Sequence, residues 1–363
     1  MYTPSAGKLR RVAQFWQELG NLERQGHGSR FRLASEAAYL GVRYRIGPAY
    51  YLLAGLSRKE LSWEEKVAFM SESDCFKYAE AINPPRYQHV MLNKLIVNAV
   101  FNMFNIPTPP FYGVVDEENG ETWDRVPLRT PDDMVRLLTR LEIQEVCFKL
   151  IEGLRGYGFY KVRIDCSSKL VTLLPDGEKL SLEDFWVRLH SHAMGRYFVQ
   201  GVVDQHPDVA RYNPWSVNTV RGLVVKTDDG TWYMHGAALR MGVGKTSVDN
   251  MSAGGLGSPV DVETGRLKPA AEERFDRPIH SQHPATGVRF AGEVLPFWPD
   301  VIEICNRIGT LFPYVEMFSC DIAFGVDGPL VLELGATFDE PQLYFDMGLR
   351  PLMEKLLKRR RSQ

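Results

Sequence analysis

Long apolar runs, paired cysteines and a charge excess are all missing from this 363-residue chain, and each absence removes a class of function. No window approaches the roughly 20 apolar residues that a membrane span needs. The opening stretch, MYTPSAGKLRR followed by QFWQELGNLER, carries basic residues without an apolar segment behind them, which predicts a cytoplasmic protein with no export signal. The five cysteines, Cys75, Cys147, Cys166, Cys305 and Cys320, are odd in number, widely spaced and form no CxxC pair. They read as thiols in a reducing compartment. Forty-three Lys and Arg against forty-five Asp and Glu leave a net charge of −2, so nothing global draws the chain to nucleic acid or to an anionic membrane. His280 and His283 form HxxH, and His190 and His192 form HxH, but no cysteine or second motif completes a zinc set. There is no GxSxG nucleophile elbow.

What is present begins with a composition that is 44% apolar, enough for a sizeable core spread over two or three domains. From Lys8 to about Phe104 apolar residues recur at spacings of three and four. In the segment Leu61 to Met70, Ser62 is the expected N-cap and Glu65 completes a capping box. Residues 1–62 hold ten basic against four acidic side chains, and the chain ends in Lys358, Arg359, Arg360 and Arg361. These basic ends are either solvated faces or a peripheral contact for an anionic partner. At Ile106 the texture changes: Pro107, Pro109 and Pro110 punctuate, and strand-like runs follow. Hairpin signals stand at Pro175-Asp176-Gly177, Asp228-Asp229-Gly230 and Asp327-Gly328. Helices are expected from Leu182 to Ala193 behind Ser181, and from Asp300 to Leu311. The class is therefore α+β, with a helical region over 1–105 and mixed regions over 106–200 and 201–363.

Four stretches carry candidate chemistry. A strand, Glu145 to Leu150, holds Lys149 and leads into Gly153-Leu-Arg155-Gly156-Tyr-Gly158, after which a second strand runs from Phe159 to Asp165. Glycines let backbone N–H groups fold over phosphate oxygens, and a strand lysine adds a fixed positive charge, so this hairpin suggests a nucleotide; an ordinary hairpin tip is the alternative. The order GxxGxG followed by a strand is not the dinucleotide fingerprint. Gly244-Lys245-Thr246 imitates a P-loop, but the position five residues before Gly244 is Leu239 and not glycine. Arg221 and Arg240 sit on two strands joined by a turn and suit bidentate capture of a phosphoryl group. The loop Ser247 to Gly255 follows them and places Asn250 among small residues. Last, Asp321 and Glu333 lie on two strands joined by a tight turn. A three-residue loop would pair them on one face, and a two-residue loop would put them on opposite faces. Paired on one face without a neighbouring cation they would repel, which makes a shared Mg²⁺ their natural partner. Two solvated strand-end acids are the other reading.

Taken in order, these features resemble the ATP-grasp superfamily. The phrases Pro214-Trp-Ser-Val-Asn-Thr-Val-Arg221, Ser247-Val-Asp-Asn-Met-Ser-Ala-Gly-Gly255, Val260-Asp-Val-Glu-Thr-Gly265 and His283-Pro-Ala-Thr-Gly287 resemble the sugar-transfer-associated members most closely. The resemblance implies two α/β subdomains clasping ATP, here preceded by a mostly helical N-terminal region. It implies an ATP-dependent carboxylate–amine ligase that works through an acyl phosphate in saccharide or secondary-metabolite biosynthesis. The alternatives are a phosphotransferase on the same fold, or a nucleotide-binding module with weak or no turnover. The implied substrates are a small carboxylate and an amine. Lys94 and Lys149 would reach the phosphates under the Gly153, Arg155, Gly156 and Gly158 loop; Gln200, Gly201, Val202 and Val203 would line the adenine, with Asp204 or His206 near the ribose. Arg221, Arg240 and Asn250 would serve the transferred group, and Asp321 and Glu333 would hold Mg²⁺. Related ligases commonly carry Asn two residues after the metal glutamate; here that residue is Gly335, with Asn250 or Asp339 as compensating ligands.

Overall fold

The computed structural model describes residues 4–153, 156–191, 195–275, 277–336 and 341–362, with backbone alone for 4–9. The first quarter is helical, as the spacing predicts: Pro4–Arg24, Arg30–Tyr44, Pro48–Leu53, Trp63–Ala68, Glu72–Ile82, Pro85–Leu92 and Lys94–Met103. Short polar residues stop and start these helices by satisfying orphan N–H groups. Ser29, Ser71 and Asn93 accept from the backbone of Arg32, Asp74 and Ile96, and Ser62 with Glu65 forms the reciprocal capping box read from the sequence.

Two antiparallel sheets follow. The first contains β1 (Phe111–Val115), β2 (Glu121–Thr122), β3 (Glu145–Leu150), β4 (Tyr160–Asp165), β5 (Leu170–Leu174), β6 (Lys179–Ser181) and β7 (Tyr197–Gly201), in the order β2-β1-β7-β3-β4-β5-β6. Helices Pro131–Leu141 and Leu182–His190 bury Leu137, Leu138, Phe185 and Trp186 against Phe148 and Val199 of this sheet. The second contains β8 (Thr219–Lys226), β9 (Trp232–Met241), β10 (Leu256–Val260), β11 (Ala270–Glu272), β12 (Ile279–His280), β13 (Met317–Gly325) and β14 (Gly328–Gly335), in the order β12-β11-β10-β9-β8-β13-β14. The expected hairpin turns join β5 to β6, β8 to β9 and β13 to β14. The helix expected from Asp300 starts two residues earlier, as Trp298–Leu311 with Pro299 in its first turn, where a missing N–H costs nothing.

Strand alternation decides what each face of the second sheet does. Along β13, Phe318, Cys320, Ile322 and Phe324 point to one face and pack with Val301, Ile304 and Ile308 of the long helix. On the other face, Met317 joins Leu223, Val225 and Ala238 under Cys75, Ala79 and Ile82, and under Leu349, Met353 and Leu356 of helix Arg350–Arg361. Every residue of β13 is buried, with helices over one face and over one end of the other. The helical first quarter is therefore not a separate body: the composition change at Ile106 marks where helices yield to strands, and the core runs across it. The buried Gln342 amide fastens the two parts by accepting from Met70 N at 3.0 Å and donating to Met70 O at 3.0 Å and to Tyr50 at 2.8 Å. Arg58 adds a bidentate pair to Asp346 at 2.7 and 2.6 Å. Among the described residues no helix is long and apolar enough to cross a membrane.

Candidate active site

The helices cover only one end of that second face. The uncovered end carries a grid of polar side chains set by register. Across β8, β13 and β14, Arg221 opposes Asp321 and Asp321 opposes Glu333; one step along, Thr219 opposes Arg240 on β9. Directly opposed residues share a face, so all five side chains project together. The turn after β13 is the two-residue form, since Gly325 pairs with Gly328, and on a regular ladder it would bring Leu332 opposite Asp321. A bulge between Asp321 and Ile322 inserts Leu332 as an extra residue and restores Glu333 to the position facing Asp321. Loop length alone would have sent the glutamate to the wrong face.

Arginines supply the counter-charge for this pair. Arg221 grips both oxygens of Asp321, its Nε on Oδ1 and its Nη2 on Oδ2 at 2.9 Å, and Arg240 Nη2 reaches Oδ2 at 2.9 Å. Burial by itself would raise the Asp321 pKa, but the two guanidiniums outweigh it and hold the carboxyl below its usual range. Arg240, also buried, is held charged by Asp249 and Asp321. Thr219 completes the cluster: its hydroxyl accepts from Arg240 Nε at 3.1 Å and Nη2 at 2.7 Å while donating to Asp249. Asp249 behaves oppositely to Asp321, since burial raises its pKa despite Arg240 and the Thr219 hydroxyl. Thr219→Val keeps the shape of the side chain and removes this hinge between acid and base. It should destabilise the protein by about 1–3 kcal/mol, the cost of buried polar groups left unpaired, read by thermal unfolding.

The first sheet faces this grid with lysines. Lys149 on β3 and Lys94 at the start of its helix approach Glu333 Oε1 at 3.9 and 3.7 Å. Lys94 Nζ also donates to Gly153 O at 2.7 Å, tying the helix to the glycine hairpin. Gly156 has φ of +74° and lies where a Cβ would come 3.4 Å from Val248, so the hairpin touches the loop that follows β9. Between the sheets lies a cavity of about 420 Å³. Its walls include Lys94, Lys149, Gly153, Gly156, Gln200, Gly201, Val203, Arg221, Arg240, Asn250, Asp321 and Glu333, which brings twelve residues singled out from the sequence to one place. Gly158, Val202, Asp204 and His206 are not on its wall. Gly158, at φ +68°, is tucked against Leu150; Asp204 O accepts from Val326 N, and the His206 ring caps the turn at Asp208. Arg155 and Asp339 lie outside the described residues.

Among the wall residues to which the sequence reading gave no role are Thr219, Asp249, Tyr344 and Glu72. Thr219 and Asp249 stand inside the quoted phrases beside Arg221 and Asn250, so their signal was available. Glu72 and Tyr344 reach the cavity from the helices Glu72–Ile82 and Pro341–Phe345 through tertiary packing, and no local pattern marks them. Cys147 also lines the wall, and burial raises its pKa to about 11, which keeps it a neutral thiol near pH 7. The set-aside motifs are structural: His280 pairs with Glu272 at 2.7 Å, His283 Nε2 meets Gly242 O at 3.0 Å, and no group of metal-ligating side chains of three or more occurs among the described residues. His192 lies outside them. Lys245 sits over the Trp215 ring at 5.0 Å, away from the cavity wall. Lys245→Ala should therefore leave Mg-ATP binding unchanged within about twofold, by calorimetry, because a surface cation–π contact contributes only about 0.5–1 kcal/mol to the fold.

The family model for sugar-transfer associated ATP-grasp proteins matches residues 75–358. The chain belongs to that family. Its ATP-grasp fold also has solved counterparts. The ATP-grasp ligase PsnB complexed with a minimal precursor is 15% identical, with a TM-score of 0.41 over 77% of this chain and 63% of PsnB. D-cycloserine synthetase DcsG is 16% identical, with a TM-score of 0.44 over 77% and 73%. Biotin carboxylase from Campylobacter jejuni, in a complex with a β,γ-ATP ligand, is 10% identical, with a TM-score of 0.49 over 76% and 48%. The chain thus spans 63% of the length of PsnB. No curated protein matches it.

Proposed function

We propose that this ATP-grasp protein is an ATP-dependent carboxylate–amine ligase. The observation that carries the reading is the meeting, around one cavity of about 420 Å³, of two lysines from the first sheet with two arginines and two carboxylates from the second. A cavity this size suits a nucleotide with a small co-substrate. The donor set fits one Mg²⁺. Asp321 is ionised, Glu333 is 39% exposed and faces it, and a hard cation takes such oxygens together with phosphate and water. Gly335 offers no side chain to a second ion, and Asn250, on the cavity wall, is the replacement in this reading. Bound there, Mg²⁺ would neutralise phosphate charge.

In this reading Lys94 and Lys149 bind nucleotide phosphates, and Cys147, Gln200, Gly201 and Val203 line the end for the base. Arg221 and Arg240 provide a fixed positive field for the phosphoryl group in transfer, and Thr219 and Asp249 keep Arg240 from following it. A substrate carboxylate oxygen attacks the γ-phosphorus and ADP leaves. The amine then attacks the acyl carbon, phosphate leaves, and the amine gives up a proton as the amide forms.

The test is mass analysis of reactions containing Mg-ATP and panels of carboxylates and amines. A product equal to acid plus amine minus water, formed with one ADP and one phosphate, supports the ligase. A stable phosphorylated product without an amine requirement would replace it with a phosphotransferase.

A further inference from the structure

We propose that the outer face of the first two helices docks on an anionic lipid bilayer. Helix Arg30–Tyr44 turns its Leu33, Ala37 and Leu40 inward, yet the opposite side is not polar. At 100° per residue, Phe31, Ala38, Tyr39 and Val42 fall within an arc of about 100°. Phe31 is 72% exposed and Val42 88%. On the preceding helix, Val12 and Trp16 stand one turn apart, and the Trp16 ring meets Phe31 at 5.4 Å. Tyr39 meets the exposed Trp63 ring at 5.5 Å, so the apolar face continues across three helices. Scattered exposed apolar residues need no explanation, but a joined aromatic patch marks an interaction surface.

The charge around the patch selects its partner. Of the four carboxylates in residues 1–62, Glu23 pairs with Arg30 and Glu36 with Lys66 and Arg32, while Glu18 and Glu60 form no ion pair among the described residues; the nearby Asp74 pairs with Arg45. Arg10, Arg11 and Arg43 are exposed and form no ion pair with a carboxylate among the described residues. Arg43 follows Val42 at the edge of the patch, and Arg10 and Arg11 are exposed on the helix that carries Val12 and Trp16, so basic charge faces solvent on the two helices that form the aromatic patch. Trp and Tyr rings favour the depth of lipid headgroups, and arginines pair with headgroup phosphates, so the combination matches an anionic bilayer. The near-zero net charge of the whole chain does not oppose this, because attraction to a surface acts within about a Debye length of the basic face.

Co-sedimentation of the full chain with vesicles tests the assignment. Vesicles of mixed phosphatidylglycerol and phosphatidylcholine should bind it at least about tenfold better than phosphatidylcholine alone, and added salt should weaken the binding. Phe31→Ser with Val42→Ser, and separately Arg10→Gln with Arg11→Gln and Arg43→Gln, should each reduce binding about tenfold while leaving the melting temperature and the Mg-ATP thermal shift unchanged. Failure of the wild type to bind anionic vesicles, or binding by both variants equal to that of the wild type, would overturn the proposal. A concentration-dependent dimer of wild type that the Phe31→Ser, Val42→Ser variant loses would reassign the face to a second copy of the chain. The nucleotide shift reports on the active site independently, so the ligase reading stands or falls separately.

Discussion

Asp321→Asn should lower the midpoint of thermal unfolding by about 5 °C, whereas Glu333→Gln should leave it within about 1 °C of wild type and still abolish Mg²⁺-dependent turnover. From the sequence the two acids look interchangeable, and the same outcome is expected of both substitutions. The structure separates them. Asp321 is the counter-ion of two arginines, one of them only 5% exposed, and its replacement leaves positive charge in the interior. Breaking such a pair by removing one partner costs about 3–5 kcal/mol, and for a chain this long 1 kcal/mol moves the midpoint by a little over 1 °C, roughly. Glu333 is 39% exposed and its lysine contacts lie at 3.7 and 3.9 Å, so water replaces much of what it loses.

The effect of Asp321 also has a direction in pH. Its folded pKa is lowered by Arg221 and Arg240, so its stabilisation is fully present above the unfolded value of about 3.9 and is lost as the pH falls through the depressed folded value. The gap between wild type and Asp321→Asn should therefore be constant from about pH 5 to 7 and narrow as the pH falls below about 3.9 toward the depressed folded value, in calorimetric scans across that range. A gap that widened in acid would mean that the carboxylate is not held ionised by the arginines.

Lys149→Met should remove the stabilisation that Mg-ATP confers. Ligand at one hundred times its dissociation constant adds about 2.7 kcal/mol, a rise of about 3 °C for wild type. Lys149 is 9% exposed, on a strand buried along most of its length, and it points its charge into the cavity where phosphates are proposed to lie. Loss of a charge-assisted contact there should weaken binding by about 10- to 100-fold, so the shift nearly vanishes at the same nucleotide concentration. Methionine retains the apolar stem, and Lys94 remains to face Glu333, so the unliganded midpoint should change little. Thermal scans with and without Mg-ATP, checked by calorimetry, decide the matter; an undiminished shift in the variant would move the nucleotide away from β3.

Much of the fold was legible. The N-caps at Ser62 and Ser181, the hairpin turns and the strand Glu145 to Leu150 all rest on interactions within a few residues, and the structure reproduces them. The ordered motifs also led to twelve of the residues that line the cavity. The partners of those residues were not legible. Nothing near Asp321 announces Arg221 and Arg240, which are 100 and 81 residues away along the chain. Nor does the hairpin turn reveal the bulge at Leu332, without which Glu333 would face the other way.

The sequence by itself determined the elements, their ends and the order of the charged groups, because capping, turn geometry and strand alternation are local. Tertiary structure alone decided which charges neutralise one another, how the helical first quarter closes one end of the second sheet, and which end stays open as a cavity. The physical reason is that a side chain's ionisation and accessibility depend on register across strands and on which face a distant helix covers, and neither is encoded within a few residues of the side chain itself.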